Sequence, residues 1–233
     1  METSLHQALK LRYALDPSRC EQRLGRYRID AVGEDGRLIE IQHGSLGAIR
    51  RKIRDLLNSH DVLVVKPIVA GKTLVRQSHK DGPVLGRRRS PKQGSLIDLF
   101  HELVYFVDVF PHERLTLEVL FVDIEEWRYP GHGRRRRWRK GDFVVEDQRL
   151  VGVRDTLRLV TRADLRAQLP QDLPKPFHSG HLATSLDVPR WVAQRVTYCL
   201  RLMQIAREVG KEGNTRLYEW NEGTKPRRKR RVA

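Results

Sequence analysis

The 233-residue sequence predicts an α/β fold followed by a small helical module. Helical and strand periodicities alternate over the first 80 residues, which is typical of helices packed on a sheet. After about residue 161 the composition shifts to short helical segments separated by prolines, which lead to a hairpin pattern and a basic tail. We therefore expect two domains, residues 1–160 and residues 161–223, and a disordered basic tail at residues 224–233.

Hydrophobic periodicity defines the elements of the first 80 residues. Two apolar-rich runs flank Gly33-Glu34-Asp35-Gly36, which is the strongest hairpin signal of the chain. Ser45 can cap the helix that follows, and Gly71 predicts a turn between two later strands. The predicted elements are a helix over 3–15, a strand-like run over 21–24, strands over 27–32 and 38–42, a helix over 45–59, and strands over 62–69 and 72–76.

The middle of the chain alternates polar loops with shorter elements. A basic loop is predicted over residues 78–94, which contain Arg87, Arg88 and Arg89. Turn residues around a dense block of charge predict a second loop over residues 129–141. The remaining predicted elements are an amphipathic helix over 95–106 and strands over 115–124, 143–145 and 157–160.

The C-terminal segments have the order helix, helix, turn, longer helix and hairpin, which is the order of a winged helix-turn-helix. Pro189 is well placed to begin the longer helix. Along that helix Arg190, Gln194 and Arg195 are side chains able to contact base edges, and Lys211 on the hairpin suits backbone phosphates. Many winged helices instead bind proteins or pack against a neighbouring domain, and this alternative stays open.

The charge balance points to a polyanionic partner. Lys and Arg number 45 against 29 Asp and Glu, a formal net charge of +16. No basic amphipathic anchor stands out, so nucleic acid is favoured over a membrane, with DNA expected and RNA possible. The run Arg134 to Arg137, next to Trp138, combines phosphate-binding groups with a stacking ring. Two alternatives stay open. The high charge can reflect an arginine-rich proteome, and the run of arginines can be a solvated loop.

The sequence disfavours membrane, secreted and disulfide-rich classes of protein. No run approaches the roughly 18 apolar residues of a membrane span, and the N-terminus lacks the order of a signal peptide. Cys20 and Cys199 lie far apart, which predicts neither a zinc site nor a disulfide framework. We expect a cytoplasmic protein, and its oligomeric state stays open.

Three polar residues interrupt the apolar runs of the first hairpin: Asp30, Glu40 and Gln42. Polar groups in strands that otherwise read as buried are costly unless they are paired or bind an ion. Asp30 falls opposite residue 39 or residue 40, and only a turn with a one-residue bulge brings the two carboxylates together. Together they would bind a hard cation such as Mg²⁺ or Mn²⁺. The alternative is that both carboxylates pair with arginines on a half-exposed hairpin.

The sequence Arg-Ile-Asp, nine intervening residues and Glu-x-Gln, followed by a basic helix and a buried strand, resembles the PD-(D/E)xK nuclease superfamily. The resemblance covers roughly residues 1–80. It implies a restriction-endonuclease-like mixed sheet flanked by helices, with Asp30 and Glu40 as the metal-binding carboxylates. Ile29 replaces the proline of the motif, and Gln42 replaces its usual lysine.

The same resemblance assigns roles to residues outside the motif. Glu2 or Glu21 would supply an additional upstream carboxylate. Lys52 or Lys66 would supply the positive charge that Gln42 lacks. The implied activity is Mg²⁺-dependent cleavage of DNA. Two alternatives stay open: a DNA-binding or regulatory protein on a degenerate nuclease fold, and an RNA-binding or RNA-processing factor.

Overall fold

The computed structural model describes residues 3–14, 16–131 and 142–221. The helices are α1 Ser4–Ala14, α2 Leu46–Leu56, α3 Leu96–Leu103, α4 Arg162–Ala167, α5 Ser179–Leu186 and α6 Arg190–Leu202. The strands are β1 Cys20–Leu24, β2 Tyr27–Val32, β3 Leu38–Ile41, β4 Val62–Gln77, β5 Val84–Arg89, β6 Leu115–Pro130, β7 Phe143–Leu159, β8 Ala206–Glu212 and β9 Thr215–Trp220.

The main sheet has the strand order β1-β2-β3-β4-β6-β7, and β5 pairs with β4 outside this path. The pairs β1–β2, β2–β3 and β4–β5 are antiparallel, and β8 and β9 form a separate antiparallel sheet. The predicted α/β class, with a mixed sheet and helices, is confirmed. None of the helices in the described part of the chain has the length and apolar content needed to cross a lipid bilayer.

Contacts divide the chain into two compact units. Within the described residues, the first unit is built from the ranges Met1–His43, Val65–Leu96 and Val119–Leu157. The second is built from Gly44–Val64, Ile97–Glu118 and the range from Arg158 onwards. Each has its own buried apolar side chains, including Leu5, Leu9, Ile29 and Ile41 in the first unit, and Ile53, Phe100, Phe106, Val196 and Leu200 in the second.

The predicted turn at Gly71 is wrong, because β4 continues through this residue as one strand. Gly71 is needed for a close approach instead: a Cβ atom there would overlap the carboxylate of Asp123 and the guanidinium of Arg154. These two side chains form an ion pair between β6 and β7, with an Nε to Oδ2 distance of 2.7 Å. The glycine therefore makes room for the pair.

The predicted basic loop over residues 78–94 is also wrong in part, since Val84–Arg89 is strand β5. It pairs with the second half of β4, from Thr73 opposite Arg89 to Gln77 opposite Val84. All six of its residues are exposed, so the strand has no alternation of buried and exposed positions that would reveal it. The two short strands predicted at 143–145 and 157–160 are likewise a single strand, β7.

The C-terminal elements follow the predicted order. A capping box formed by Thr161 and Asp164 begins α4. His178 caps α5, and Asp187 ends it in the left-handed conformation at φ 51°. Pro189 stands at the N-cap of α6. The predicted tail at residues 224–233, the charge block of residues 132–141 and Glu2 lie outside the described residues.

Candidate active site on the first hairpin

The turn between β2 and β3 sets the register of the first hairpin. Gly33 N donates to Arg37 O over 2.9 Å, which leaves a three-residue connection, and Gly36 adopts φ +78°. A positive φ at this last position is the conformation of the bulged three-residue hairpin loop, and glycine adopts it without strain. This is the longer of the two connections that the sequence allows.

The register of the β2–β3 pair, continued by one residue, sets Asp30 opposite Glu40. Ala31 pairs with Ile39 and Val32 with Leu38, and the next pair in the same register is Asp30 with Glu40. Side chains of opposed residues share one face of the sheet, with Cβ atoms about 5 Å apart. The two carboxylates therefore lie on the same face of adjacent strands.

The two acids differ in their surroundings. Asp30 Oδ2 accepts a hydrogen bond from the backbone N–H of Ile41 at 2.8 Å and lies 3.3 Å from His6 Nε2. Glu40 is only 3% exposed. One carboxylate is thus fixed by β3 and by a side chain of α1, and the other is enclosed in the sheet.

Glu21 follows in the adjacent strand. Cys20 pairs with Ala31 and Gln22 with Ile29, so Glu21 lies across from Asp30. Its carboxylate pairs with Lys10 of α1 and with Arg28 of β2, and its backbone has φ 58°. A left-handed glutamate is uncommon and marks local strain. Glu21 therefore forms ion pairs with two basic side chains. It also belongs to a row of acidic residues on β1, β2 and β3, together with Asp30 and Glu40.

The end of β3 brings Gln42 next to a buried lysine on β4. Gln42 N donates to Val65 O over 2.9 Å, and Lys66 Nζ donates to His43 O over 3.0 Å. Lys66 is only 5% exposed. Burial lowers the pKa of His43, and the charges of Lys66 and His6 lower it further, so this imidazole is neutral at neutral pH.

The other predicted catalytic lysine, Lys52, lies on α2 in the second unit, where its side chain is half-buried. The predicted acid Glu2 and the nucleic-acid-binding residues Arg134, Arg135, Arg136 and Arg137 lie outside the described residues.

A second acid-centred cluster was not predicted. Glu126 on β6 is 4% exposed and accepts hydrogen bonds from Lys72 Nζ at 2.9 Å, Arg128 Nε at 2.6 Å and Gln148 Nε2 at 3.1 Å. Burial on its own raises the pKa of Glu126, but the bonds from Lys72 and Arg128 outweigh it, so the pKa is lowered. The cluster joins β4, β6 and β7, and the sequence carries no local signal for those pairings.

The residues predicted to contact nucleic acid in the second unit are exposed, but two of them have partners. Arg195 Nη1 lies 2.8 Å from His101 Nδ1, and its guanidinium lies 5.2 Å from the centroid of the Trp191 ring. Arg190 Nη2 donates to Thr215 Oγ1 over 3.4 Å. An open groove between α6 and the β8–β9 hairpin is lined by side chains that include Arg190, Gln194, Arg201 and Arg216, while Lys211 stands on β8.

The donor set of the hairpin can be compared with the needs of a metal ion. Among the described residues no group of three or more His, Cys, Asp or Glu side chains is placed to hold one. Mg²⁺ is commonly held by one or two carboxylates, with water and substrate phosphate as its other ligands. Asp30 and Glu40 supply such a pair of hard oxygen donors. The residues therefore fit Mg²⁺ or Mn²⁺, and they do not form a complete protein cage.

Comparison with known proteins identifies the family. The sequence model of DUF8091, a domain of unknown function, matches residues 3–160. An uncharacterized protein of Treponema pallidum (strain Nichols) is 30% identical over 220 residues, which cover 93% of this chain and 84% of that protein. No solved structure matches the chain. The chain belongs to the DUF8091 family.

Proposed function

We propose that the protein is a metal-dependent endonuclease that hydrolyses phosphodiester bonds in DNA. The observation that carries this proposal is the register of the first hairpin, Ala31 with Ile39 and Val32 with Leu38, which continued by one residue sets Asp30 opposite Glu40. Two carboxylates on one face of adjacent strands are a suitable binding place for a hard cation that also contacts a phosphate.

The surrounding elements support a restriction-endonuclease-like first domain. A helix, an antiparallel meander of three strands, a basic helix and a buried strand follow one another as α1, β1–β3, α2 and β4. This is the context that the superfamily resemblance implies for the motif. The family match ends at residue 160, where the proposed winged helix begins.

Each residue of the hairpin has a distinct part in the proposed reaction. Asp30 and Glu40 would hold the cation, and His6 together with the N–H of Ile41 would keep the Asp30 carboxylate in place. The bound cation would supply an activated water and would neutralise charge on the scissile phosphate. The amide of Gln42 would orient the attacking water, and Lys66 would provide the positive charge that the glutamine lacks.

The second unit would hold the substrate. Arg190 and Gln194 line the groove between α6 and the β8–β9 hairpin, and Lys211 stands exposed on β8. These side chains suit base edges and backbone phosphates. Arg195 would add to this surface after exchanging its contact with His101 for a phosphate. The helix-then-hairpin order favours duplex DNA over RNA.

The test is a plasmid-nicking assay with Mg²⁺ or Mn²⁺. We expect Asp30→Asn and Glu40→Gln each to lower the nicking rate at least about 100-fold, because each removes metal-binding charge worth several kcal/mol. Asp35→Asn is the matched control, since Asp35 is an exposed carboxylate in the turn of the same hairpin. It should nick at the wild-type rate. Nicking that persists in both site variants overturns the proposal.

One observation favours a second candidate, a DNA-binding protein without cleavage activity. Asp30 Oδ2 is already engaged by Ile41 N and His6, which is compatible with a structural role for this carboxylate. In that case the wild-type protein would shift labelled DNA in gels at low salt and would nick no plasmid with either cation. Gel shifts with DNA and RNA of equal length, repeated at rising salt, separate the two nucleic acids.

A further inference from the structure

A second candidate binding site lies in the first unit, where the ends of four strands surround a pocket of about 470 Å³. This volume falls within the range of small-molecule sites. The pocket is lined by Leu74, Arg76, Gln77, Leu85, Gly86, Arg87, Arg88, Arg128, Tyr129, Pro130, Asp142 and Phe143. Arginines, rings and an amide thus meet in one cavity that the proposed cleavage reaction does not use.

Two of the arginines are available to an anion. Arg87 pairs with Glu125, and Arg128 with Glu126. By contrast, Arg76 and Arg88 are exposed and make no ion pair within the described part of the chain.

The strand register brings these two together. Leu74 pairs with Arg88, and Arg76 pairs with Gly86, so Arg76 and Arg88 are diagonal neighbours on one face of the β4–β5 ladder. Such neighbours have Cβ atoms about 7 Å apart, and both guanidinium groups can reach one phosphate. Because Gly86 has no side chain, the space opposite Arg76 stays open.

The pocket also offers a flat surface. Phe143 is 42% exposed, and the Arg128 guanidinium lies 3.9 Å from the centroid of its ring. Tyr129 adds a second ring to the lining. Exposed aromatic rings and guanidinium planes stack on nucleic acid bases. An inorganic phosphate or an acidic peptide would leave this surface unused.

We propose that this pocket binds one unpaired nucleotide. Its phosphate would lie between Arg76 and Arg88, and its base would lie against Phe143. The inference goes beyond the proposed cleavage and does not depend on it. A free nucleotide and a nucleotide within a single strand share this chemistry.

The test measures binding to the full-length protein by isothermal titration calorimetry in EDTA, so that no cleavage takes place. The probes are adenosine 5′-monophosphate, ribose 5-phosphate and a single-stranded adenine trinucleotide. We expect adenosine monophosphate to bind at least about tenfold more tightly than ribose 5-phosphate, because only the former has a base. A trinucleotide that binds more tightly than the mononucleotide identifies a strand as the ligand, and the reverse identifies a free nucleotide.

Variants locate the binding. Arg76→Gln and Arg88→Gln should each weaken binding of adenosine monophosphate about tenfold. Arg89→Gln removes the same charge one residue along β5, outside the pocket lining, and should change binding less than twofold.

Other outcomes overturn the proposal. An Arg89→Gln effect equal to that of Arg88→Gln would indicate diffuse charge attraction instead of a site. Equal binding of adenosine monophosphate and ribose 5-phosphate would exclude recognition of a base. Arg76 and Arg88 are both exposed, so their variants test the site without changing a buried side chain. Asp30→Asn, which should lose cleavage, should keep wild-type binding, and this separates the pocket from the proposed active site.

Discussion

Lys66 Nζ donates a hydrogen bond to the carbonyl oxygen of His43 over 3.0 Å, and this contact holds a buried amine beside the residues that follow β3. The chain thereby has a cation one strand away from Gln42, the position at which a lysine was expected. The backbone bond from Gln42 N to Val65 O keeps the two strands in register at this point.

The first prediction concerns which lysine serves the proposed reaction. Lys66→Met should lower the plasmid-nicking rate at least about tenfold, because it removes the charge beside Gln42 while keeping an apolar stem of similar length. Lys52→Met is the comparison, since Lys52 lies on α2. A loss confined to Lys52→Met would reassign the role to that residue. Circular dichroism of both variants checks that the fold is intact.

The prediction has a second part, in which the positive charge is moved from position 66 to position 42. In the Lys66→Met background, Gln42→Lys should restore part of the lost nicking rate, since it puts an amine at the position usual for the superfamily. In the wild-type background the same substitution brings two positive charges together and should not raise the rate. A double variant no more active than Lys66→Met alone would show that a charge at this end of β3 is not what the reaction needs.

The Glu126 cluster predicts a large effect on stability. Glu126→Gln leaves Lys72 and Arg128 without their counter-charge in a buried place and should lower the free energy of unfolding by about 3 kcal/mol. The neighbouring variant Glu125→Gln, which loses only a half-exposed pair with Arg87, should lower it by about 0.5 kcal/mol. Urea denaturation at pH 7 measures both variants, and equal losses would contradict the prediction.

The sign of the pH dependence follows from the lowered pKa of Glu126. A folded-state pKa below the unfolded value means that the stabilisation is present above the ordinary glutamate range and is lost as the pH falls through the folded value. Wild type should therefore lose stability below about pH 4.3, and Glu126→Gln should lose less over the same interval. Urea curves at pH 7 and pH 3.5 make the comparison.

His178 predicts a pH effect in the second unit. Its Nδ1 accepts hydrogen bonds from the N–H groups of Gly180 and His181 at 2.9 and 3.2 Å, which requires a neutral ring. Burial lowers its pKa, and the charges of His181 and Arg190 lower it further, against a smaller opposing contribution of Glu212. The cap therefore stabilises α5 above about pH 6.5 and is lost as the pH falls through the lower folded-state value.

The matched variant is His178→Asn, which keeps an N-cap acceptor and does not titrate. Between pH 7.5 and pH 5, wild type should lose about 1 kcal/mol of stability that His178→Asn retains. His178→Ala should lack this stability at both pH values. Thermal unfolding at the two pH values measures the difference, and a parallel decline of all three proteins would disprove the role of the cap.

Gly71 predicts a steric effect. Gly71→Ala would push a Cβ atom into the Asp123–Arg154 pair and should destabilise the protein by about 1–3 kcal/mol. Gly152→Ala, also within a strand, meets no heavy atom within 4 Å and should be neutral or slightly stabilising. Differential scanning fluorimetry of the two variants is sufficient, and equal melting temperatures would contradict the structure at Gly71.

Local patterns were enough to predict several elements near the start of the chain. The alternation of apolar residues around the glycine-bounded turn gave β2 its bounds, Tyr27–Val32, and the cap at Ser45 began α2 correctly. Strand β5 was missed because its side chains are all exposed and only its pairing with β4 makes it a strand. Gly71 was misread because a glycine needed for close packing looks the same in sequence as a glycine needed for a turn.

The site was predictable to the same degree. Asp30, Glu40 and Gln42 could be recognised from the sequence as polar residues within apolar runs, because this requires only their neighbours along the chain. Lys10 and Glu126 acquire their partners from separate elements, so no local pattern could identify them. The register of the hairpin was open between two values, because turn residues alone did not fix the number of residues in the connection.

That connection has a consequence for comparing members of the family. Side chains alternate between the two faces of a strand, so one residue more or fewer between Gly33 and Arg37 would turn one carboxylate away from the other. Counting residues from the aspartate of β2 to the glutamate of β3 is therefore a criterion that needs only sequences. We expect homologues with the spacing of ten residues found here to keep the two carboxylates on one face. We expect homologues with an odd spacing to bind DNA without cleaving it.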